Sequence, residues 1–167
     1  VFREEPWCPL AAVTMLPGDT PAQYLDRAVA FCNERLAGTL DATLIVDGET
    51  RRQMGPDYDR ALAALRYGTV AVNMWSAAGF VFGSTPWGGF PGHTPADIGS
   101  GIGFVHNARL VDRVQKGVIQ APFTLFPKPA WFVTHRYGDR VTRRMAALEA
   151  DPHWWRLPGL AWWAARG

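Results

Sequence analysis

Three short apolar runs, separated by segments with helical periodicity, constrain the fold of this chain more than any other feature. The runs are residues 10–15 (LAAVTM), 42–46 (ATLIV) and 69–74 (TVAVNM). Continuous apolar runs of this length are typical of strands that are buried on both faces of a sheet. Strands of that kind are usually parallel and need a covering helix between one strand and the next. We therefore predict an α/β fold.

The two segments between these runs have the pattern of amphipathic helices. In the first, Asp19 or Thr20 can cap a helix that carries an apolar stripe at spacings of three and four residues and stops at Gly38. The second begins at Pro56 and ends at Gly68. Together with the runs they predict a βαβαβ unit, a parallel sheet covered by helices with right-handed crossovers.

Residues 79–103 are too rich in glycine for regular structure, yet they carry Phe80, Phe82, Trp87 and Phe90. Aromatic side chains are depleted in disordered segments, so we predict an ordered Gly-rich loop that lines a pocket.

Beyond that loop the sequence predicts alternating helices and extended segments. The expected elements are a helix from Asn107 to Gly117, a strand in residues 117–123 and a helix from Asp139 to Pro152. A helical, Trp-rich tail follows. We place a boundary between residues 1–121 and a Pro- and Trp-rich extension, residues 122–167.

Composition excludes several classes of protein. The 167 residues are 48% hydrophobic and 19% charged, which is enough apolar material for a folded core. A formal net charge of +2 is too small to indicate a nucleic-acid-binding protein. No apolar stretch is long enough to predict a membrane span. We expect Cys8 and Cys32 to be reduced thiols in a cytoplasmic protein.

Two motifs on this scaffold resemble those of one enzyme family. Residues 4–13 (EEPWCPLAAV) resemble the Glu-x-Phe-Gly-Pro-Val segment of the NAD(P)-dependent aldehyde dehydrogenase superfamily, with Pro6 before the aromatic residue and Cys8 in place of the glycine. Residues 73–90 (NMWSAAGFVFGSTPWGGF) resemble that family's strand-end asparagine followed by Pro-Phe-Gly-Gly. The resemblance covers roughly residues 2 to 120.

The resemblance implies a site. By position, Glu5 would bind the nicotinamide ribose, Trp7 would pack beside the nicotinamide and Trp87 would border the substrate pocket. The cofactor would be NAD or NADP, and the substrate an aldehyde. The family's nucleophilic cysteine and general base lie upstream of these motifs, so we assign no catalytic residue here. The chain is expected to be the C-terminal part of a catalytic domain, inactive alone.

An alternative from another class is a non-catalytic dehydrogenase-like module that binds a partner or mediates assembly. In either case apolar strands without their full set of neighbours predict self-association.

Other candidate sites are weaker. The four histidines, His93, His106, His135 and His153, lack the spacing of metal ligands, so no metal site is predicted. The arginines of residues 136–144 have aromatic neighbours, as in RNA-binding proteins, but a solvated helix face is the commoner reason for such a run. The tryptophans of the tail are compatible with packing on the domain, a subunit interface or a membrane-surface anchor, and we favour the first two.

Overall fold

The computed structural model describes residues 8–107, 109–130 and 132–167. The chain divides into two compact units, of which the first ends at Phe123 and the second begins at Thr124. The first unit combines helices with a small parallel sheet, and the second is helical.

Three parallel strands form the sheet of the first unit. They are β1 (Asp41–Leu44), β2 (Thr69–Val72) and β3 (Gly117–Gln120), in the order β1-β2-β3. All four residues of the central strand β2 are buried, whereas β1 and β3 form the edges of the sheet. The apolar runs at 42–46 and 69–74 thus contain strands, and their parallel pairing confirms the mixed helix-and-strand class.

In the described part of the first unit, four helices accompany the sheet: α1 (Pro21–Arg35), α2 (Gly48–Met54), α3 (Pro56–Ala64) and the single turn α4 (Ala78–Val81). Helix α1 begins at a side-chain cap, because the Thr20 hydroxyl accepts a hydrogen bond from the backbone N–H of Gln23 at 3.3 Å.

The carboxylate of Asp47 caps α2 in the same way. These bonds, made chiefly by Thr50, lower the pKa of Asp47. The sequence pattern does not predict helix α2, because its seven residues form no apolar stripe, and Met54 is the residue that it buries.

The core of the first unit lies between helices α1–α3 and the sheet. Its buried side chains include Leu25, Val29, Val46, Met54, Tyr58, Ala61, Leu62, Leu65, Tyr67, Val70 and Val72. The ammonium group of Lys116 donates to the carbonyls of Leu62, Ala63 and Leu65 at 2.6–2.7 Å. These carbonyls lie at the end of α3, where helical partners are missing, so Lys116 serves as a long-range cap.

Two predicted elements are not formed. Residues 10–15 are not a strand, and Leu10, Val13 and Met15 are 63%, 90% and 94% exposed. A strand needs a neighbour for its backbone groups, and this segment pairs with none of the three strands. The full βαβαβ arrangement is therefore not seen.

The helix expected from Asn107 to Gly117 is also missing from its described residues. The backbones of Asn107 and Arg113 have φ of 43° and 51°, which a right-handed helix does not tolerate. Leu110 and Val111 are exposed, so no buried apolar face is available to stabilise a helix.

The second unit is built from α5 (Gly138–Ala150), a 3₁₀ turn (Trp154–Arg156) and α6 (Leu157–Ala164), with α5 packed on α6. Helix α5 confirms the helix predicted from Asp139. Aromatic and guanidinium groups join the two helices, since the Arg140 guanidinium lies 4.3 Å from the ring centre of Trp163.

Tyr67 predicts a pH dependence of stability. Its buried hydroxyl donates to the Cys32 carbonyl at 3.2 Å, and burial raises the pKa of Tyr67 to about 12. The unfolded chain ionises near pH 10, so the stabilisation is complete below pH 10 and is lost as the pH rises through 12, by about 2 kcal/mol.

Tyr67→Phe should therefore be less stable than the parent by about 1 kcal/mol at pH 8, from the lost hydrogen bond. It should match or exceed the parent near pH 12, as measured by urea unfolding across that range. Tyr24→Phe, at a tyrosine that is 48% exposed, is the control and should track the parent throughout. A constant difference between Tyr67→Phe and the parent would contradict the assignment.

Candidate functional site

The Gly-rich segment packs against the amino ends of the strands. The carbonyl of Thr39, just before β1, accepts the N–H of Gly68 at 2.9 Å and the N–H of Phe90 at 3.0 Å. Gly68 in turn immediately precedes β2. The Thr39 carbonyl thus links the residues just before β1 and β2 to the loop that carries the Trp87-Gly88-Gly89 sequence.

Two glycines allow this close approach. A Cβ atom on Gly68 would overlap the carbonyl oxygen of Gly88, and a Cβ on Gly88 would overlap the carbonyl oxygen of Gly103. Backbone therefore lies directly against backbone here, which only glycine permits. These contacts explain why Gly88 follows Trp87 in the motif.

Trp87 lies half-buried within this segment. Its backbone exchanges two hydrogen bonds with Val105, at 2.9 and 2.7 Å. The indole meets the ring of Phe80 edge to face at a centroid distance of 5.8 Å, and it also approaches Gly79. Phe80 contacts the imidazole of His106 at 4.9 Å. Trp87 is thus held by neighbours of its own loop, with part of its surface open to solvent.

A polar cluster lies beside this turn. The Nε2 atom of His93 and the hydroxyl of Thr39 are 2.8 Å apart, and the backbone N–H of Thr39 donates to the Ser100 hydroxyl at 2.7 Å. The cluster borders a cleft of about 460 Å³. The cleft is lined by Cys32, Asn33, Leu36, Gly38, Thr39, Arg66, Phe90, Pro91, Gly92, His93 and Asp97, a set that does not include Trp87.

The opposite, carboxyl end of the sheet is organised by Asn73, which follows β2 with φ of 57°. Its side-chain amide accepts from the N–H of Val46 and donates to the carbonyl of Val46, both at 2.8 Å. It also donates to the carbonyl of Ala121, beyond β3, at 3.4 Å. Ligands of open α/β sheets bind at this end. Here, however, the amide binds the backbone that follows the two edge strands, so its role is structural.

An apolar groove of about 360 Å³ runs between α1 and the edge strand β1. Cys32 contributes to its wall, and burial raises the pKa of the Cys32 thiol. A raised pKa disfavours the thiolate, which is the nucleophilic form of cysteine. Cys32 is partly buried and packs against the core, whereas Cys8 is an exposed free thiol.

Of the three predicted site residues, the structure describes one. Glu5 and Trp7 lie outside the described residues, so their predicted cofactor roles stay predictions. Trp87 is described, and its role beside a substrate stays a prediction too. No local sequence pattern indicates the His93–Thr39–Ser100 cluster, because Thr39 is separated from His93 and Ser100 by 54 and 61 positions in the chain.

Within the described part of the chain, no group of three or more His, Cys, Asp or Glu side chains could hold a metal ion. The same residues include no helix that is both long and apolar enough to cross a bilayer.

Comparison of the chain with protein-family models, with curated proteins and with solved structures finds no match.

Proposed function

We propose that this chain is part of an NAD(P)-dependent aldehyde dehydrogenase, an enzyme that oxidises an aldehyde to a carboxylic acid with NAD or NADP as cofactor. The observation that carries the proposal is the backbone contact of Gly68 with Gly88. Together with the contact of Gly88 with Gly103, it supports the interpretation of residues 73–90 as the family's motif, because a Cβ atom at Gly88 would overlap the Gly103 carbonyl oxygen. A cytoplasmic location belongs to the same proposal.

Each motif residue has a role in this proposal. Glu5 accepts hydrogen bonds from the ribose hydroxyls of the cofactor, and Trp7 limits where the nicotinamide ring can lie. Trp87 forms one wall of the aldehyde pocket with its open surface. The nucleophilic thiolate is supplied by another part of the enzyme. In that larger assembly the Gly-rich loop lines the substrate pocket.

The alternative, a non-catalytic module for partner binding or assembly, is favoured by one observation. Large hydrophobic side chains are exposed throughout the described residues, from Leu10 to Trp162. Apolar side chains that are exposed close together are typical of interaction sites, and Trp154, Trp155 and Trp162 lie in one 3₁₀ turn and the helix that follows it. Self-association through such surface is part of both proposals.

The test compares Trp87→Ala with the parent in a polypeptide that joins this chain to the nucleophile-bearing region that the proposal requires. Aldehyde-dependent formation of NADH or NADPH is followed. Loss of a pocket wall should raise KM about tenfold while kcat stays within about twofold, since the residue acts through binding. The present chain alone should give no turnover.

Trp75→Ala is the matched control, because Trp75 is 62% exposed in the same unit and is not a residue that the resemblance assigns to the site, and it should leave KM unchanged. The assignment of Trp87 fails if Trp87→Ala unfolds the protein while the kinetics per folded molecule stay those of the parent. Turnover by the present chain with both cysteines replaced by alanine would refute its role as a part without the nucleophile.

A further inference from the structure

Charge is divided unequally between the two units. From Thr124 onward the sequence has seven Lys and Arg against three Asp and Glu, whereas the preceding residues have ten against twelve. The small second unit is therefore basic and the first is slightly acidic. Such an asymmetry, concealed in the overall charge of +2, indicates an anionic partner for the basic unit.

The same basic unit exposes several large apolar side chains among its described residues. Trp154, Trp155 and Trp162 are 75%, 57% and 59% exposed, and Leu157 is 50% exposed. All four lie in the 3₁₀ turn or in α6. Tryptophan combines a large apolar ring with one N–H donor, which suits it to the boundary between lipid and water.

Arginines lie directly beside these rings. The guanidinium of Arg166 is 4.5 Å from the ring centre of Trp162, and that of Arg140 is 4.3 Å from that of Trp163. Arg144 is 5.8 Å from Trp163. Arg156 is bound to Asp151, so the remaining arginines provide most of the positive charge available to a partner.

The way the rings are covered distinguishes a bilayer from a nucleic acid. Single-stranded nucleic acids stack their bases on open aromatic faces. Here one face of Trp162 is covered by Arg166, and one face of Trp155 by His153 at a centroid distance of 4.1 Å. A bilayer interface needs no open ring face, only apolar surface next to cations.

We propose that the 3₁₀ turn and α6, together with the arginines of α5, bind the surface of a bilayer that contains anionic phospholipid. The tryptophans and Leu157 enter the headgroup region, and Arg166 and the exposed arginines of α5, Arg140, Arg143 and Arg144, contact lipid phosphates. Helix α6 has eight residues, so it lies in the interface and does not span the membrane.

Flotation of the full chain with lipid vesicles tests this surface. The chain should float with phosphatidylcholine vesicles that contain phosphatidylserine, and much less with phosphatidylcholine alone. High salt should reduce the binding, because it screens the arginines. Trp154→Ala should weaken binding about fivefold by removing apolar surface. Trp75→Ala removes a comparably exposed tryptophan from the first unit and should bind as the parent does.

Charge reversal provides a second, independent measurement. Arg143→Glu, on an exposed position of α5, removes two units of charge and should weaken binding about 25-fold, since each basic group near an anionic surface contributes about fivefold. Arg52→Glu makes the same change on exposed α2 of the first unit and should have little effect.

Three outcomes would overturn the proposal: equal flotation with both kinds of vesicle, equal effects of Arg143→Glu and Arg52→Glu, or competition by single-stranded RNA that displaces the chain from anionic vesicles. Circular dichroism of each variant verifies that only folded proteins are compared.

Discussion

Replacing Gly68 by alanine is expected to lower the free energy of unfolding by about 3 kcal/mol or more, because an added methyl group would overlap backbone and no flexible side chain can move aside. The methyl carbon would occupy the position of the Gly88 carbonyl oxygen. Relief requires the Trp87–Gly89 turn to move away from β2. That movement would strain the hydrogen bond from Phe90 to Thr39 and the close contact of Gly88 with Gly103.

Urea unfolding of the full chain, followed by circular dichroism, measures this effect. Gly48→Ala is the matched control, because Gly48 begins α2 and a Cβ atom there meets nothing within 4 Å. Alanine also favours helix over glycine, so the control should be as stable as the parent or more so. If Gly68→Ala were as stable as Gly48→Ala, the turn would not lie against β2, and the main support for the proposed function would be lost.

The parts of the fold that could be predicted are those where one segment carries its own signal. The stripe that includes Leu25 and Val29 predicts α1, and both side chains are buried against the core. The run 69–74 predicts β2, whose four residues are all buried. In each case local pattern and final burial agree.

The failed predictions depend on neighbours that no local pattern specifies. Residues 10–15 are as apolar as β2, but strand formation needs a paired edge, which this segment does not have in the structure. Helix α2 is the opposite case, because it forms without a clear apolar pattern in its sequence. Its apolar pattern is weak, yet the Asp47 cap and the burial of Met54 suffice to form it.

The candidate site was partly predictable. The motif indicates Trp87 and its glycines because short motifs are local, and a substrate role for Trp87 stays a prediction. It could not show that Thr39 would join both Gly68 and Phe90, since a backbone carbonyl has no sequence signature. Long-range polar contacts of this kind appear only when the topology is known.

Asn73→Ala should cost about 3 kcal/mol, the second large effect expected in the first unit. Alanine cannot form the two 2.8 Å hydrogen bonds to Val46. The N–H and carbonyl of Val46, just beyond β1, therefore lose these partners. It must also adopt φ of 57°, which asparagine tolerates far better than alanine. The two contributions can be separated, because Asn73→Gly removes the amide but relieves the backbone strain, so it should recover about 1 kcal/mol of the loss.

Asn107→Ala is the control for Asn73→Ala. Asn107 also has positive φ and also donates from its side chain, to Gly83 at 2.7 Å, but it is exposed and lies outside the sheet. Its replacement should cost no more than about 1 kcal/mol, since water can replace the lost bond. Chemical unfolding of the three variants measures the loss of unfolding free energy in each. Equal losses for Asn73→Ala and Asn107→Ala would mean that backbone conformation alone matters at Asn73. A larger loss at Asn73, only partly recovered by glycine, identifies its amide as the group that joins the carboxyl ends of the three strands.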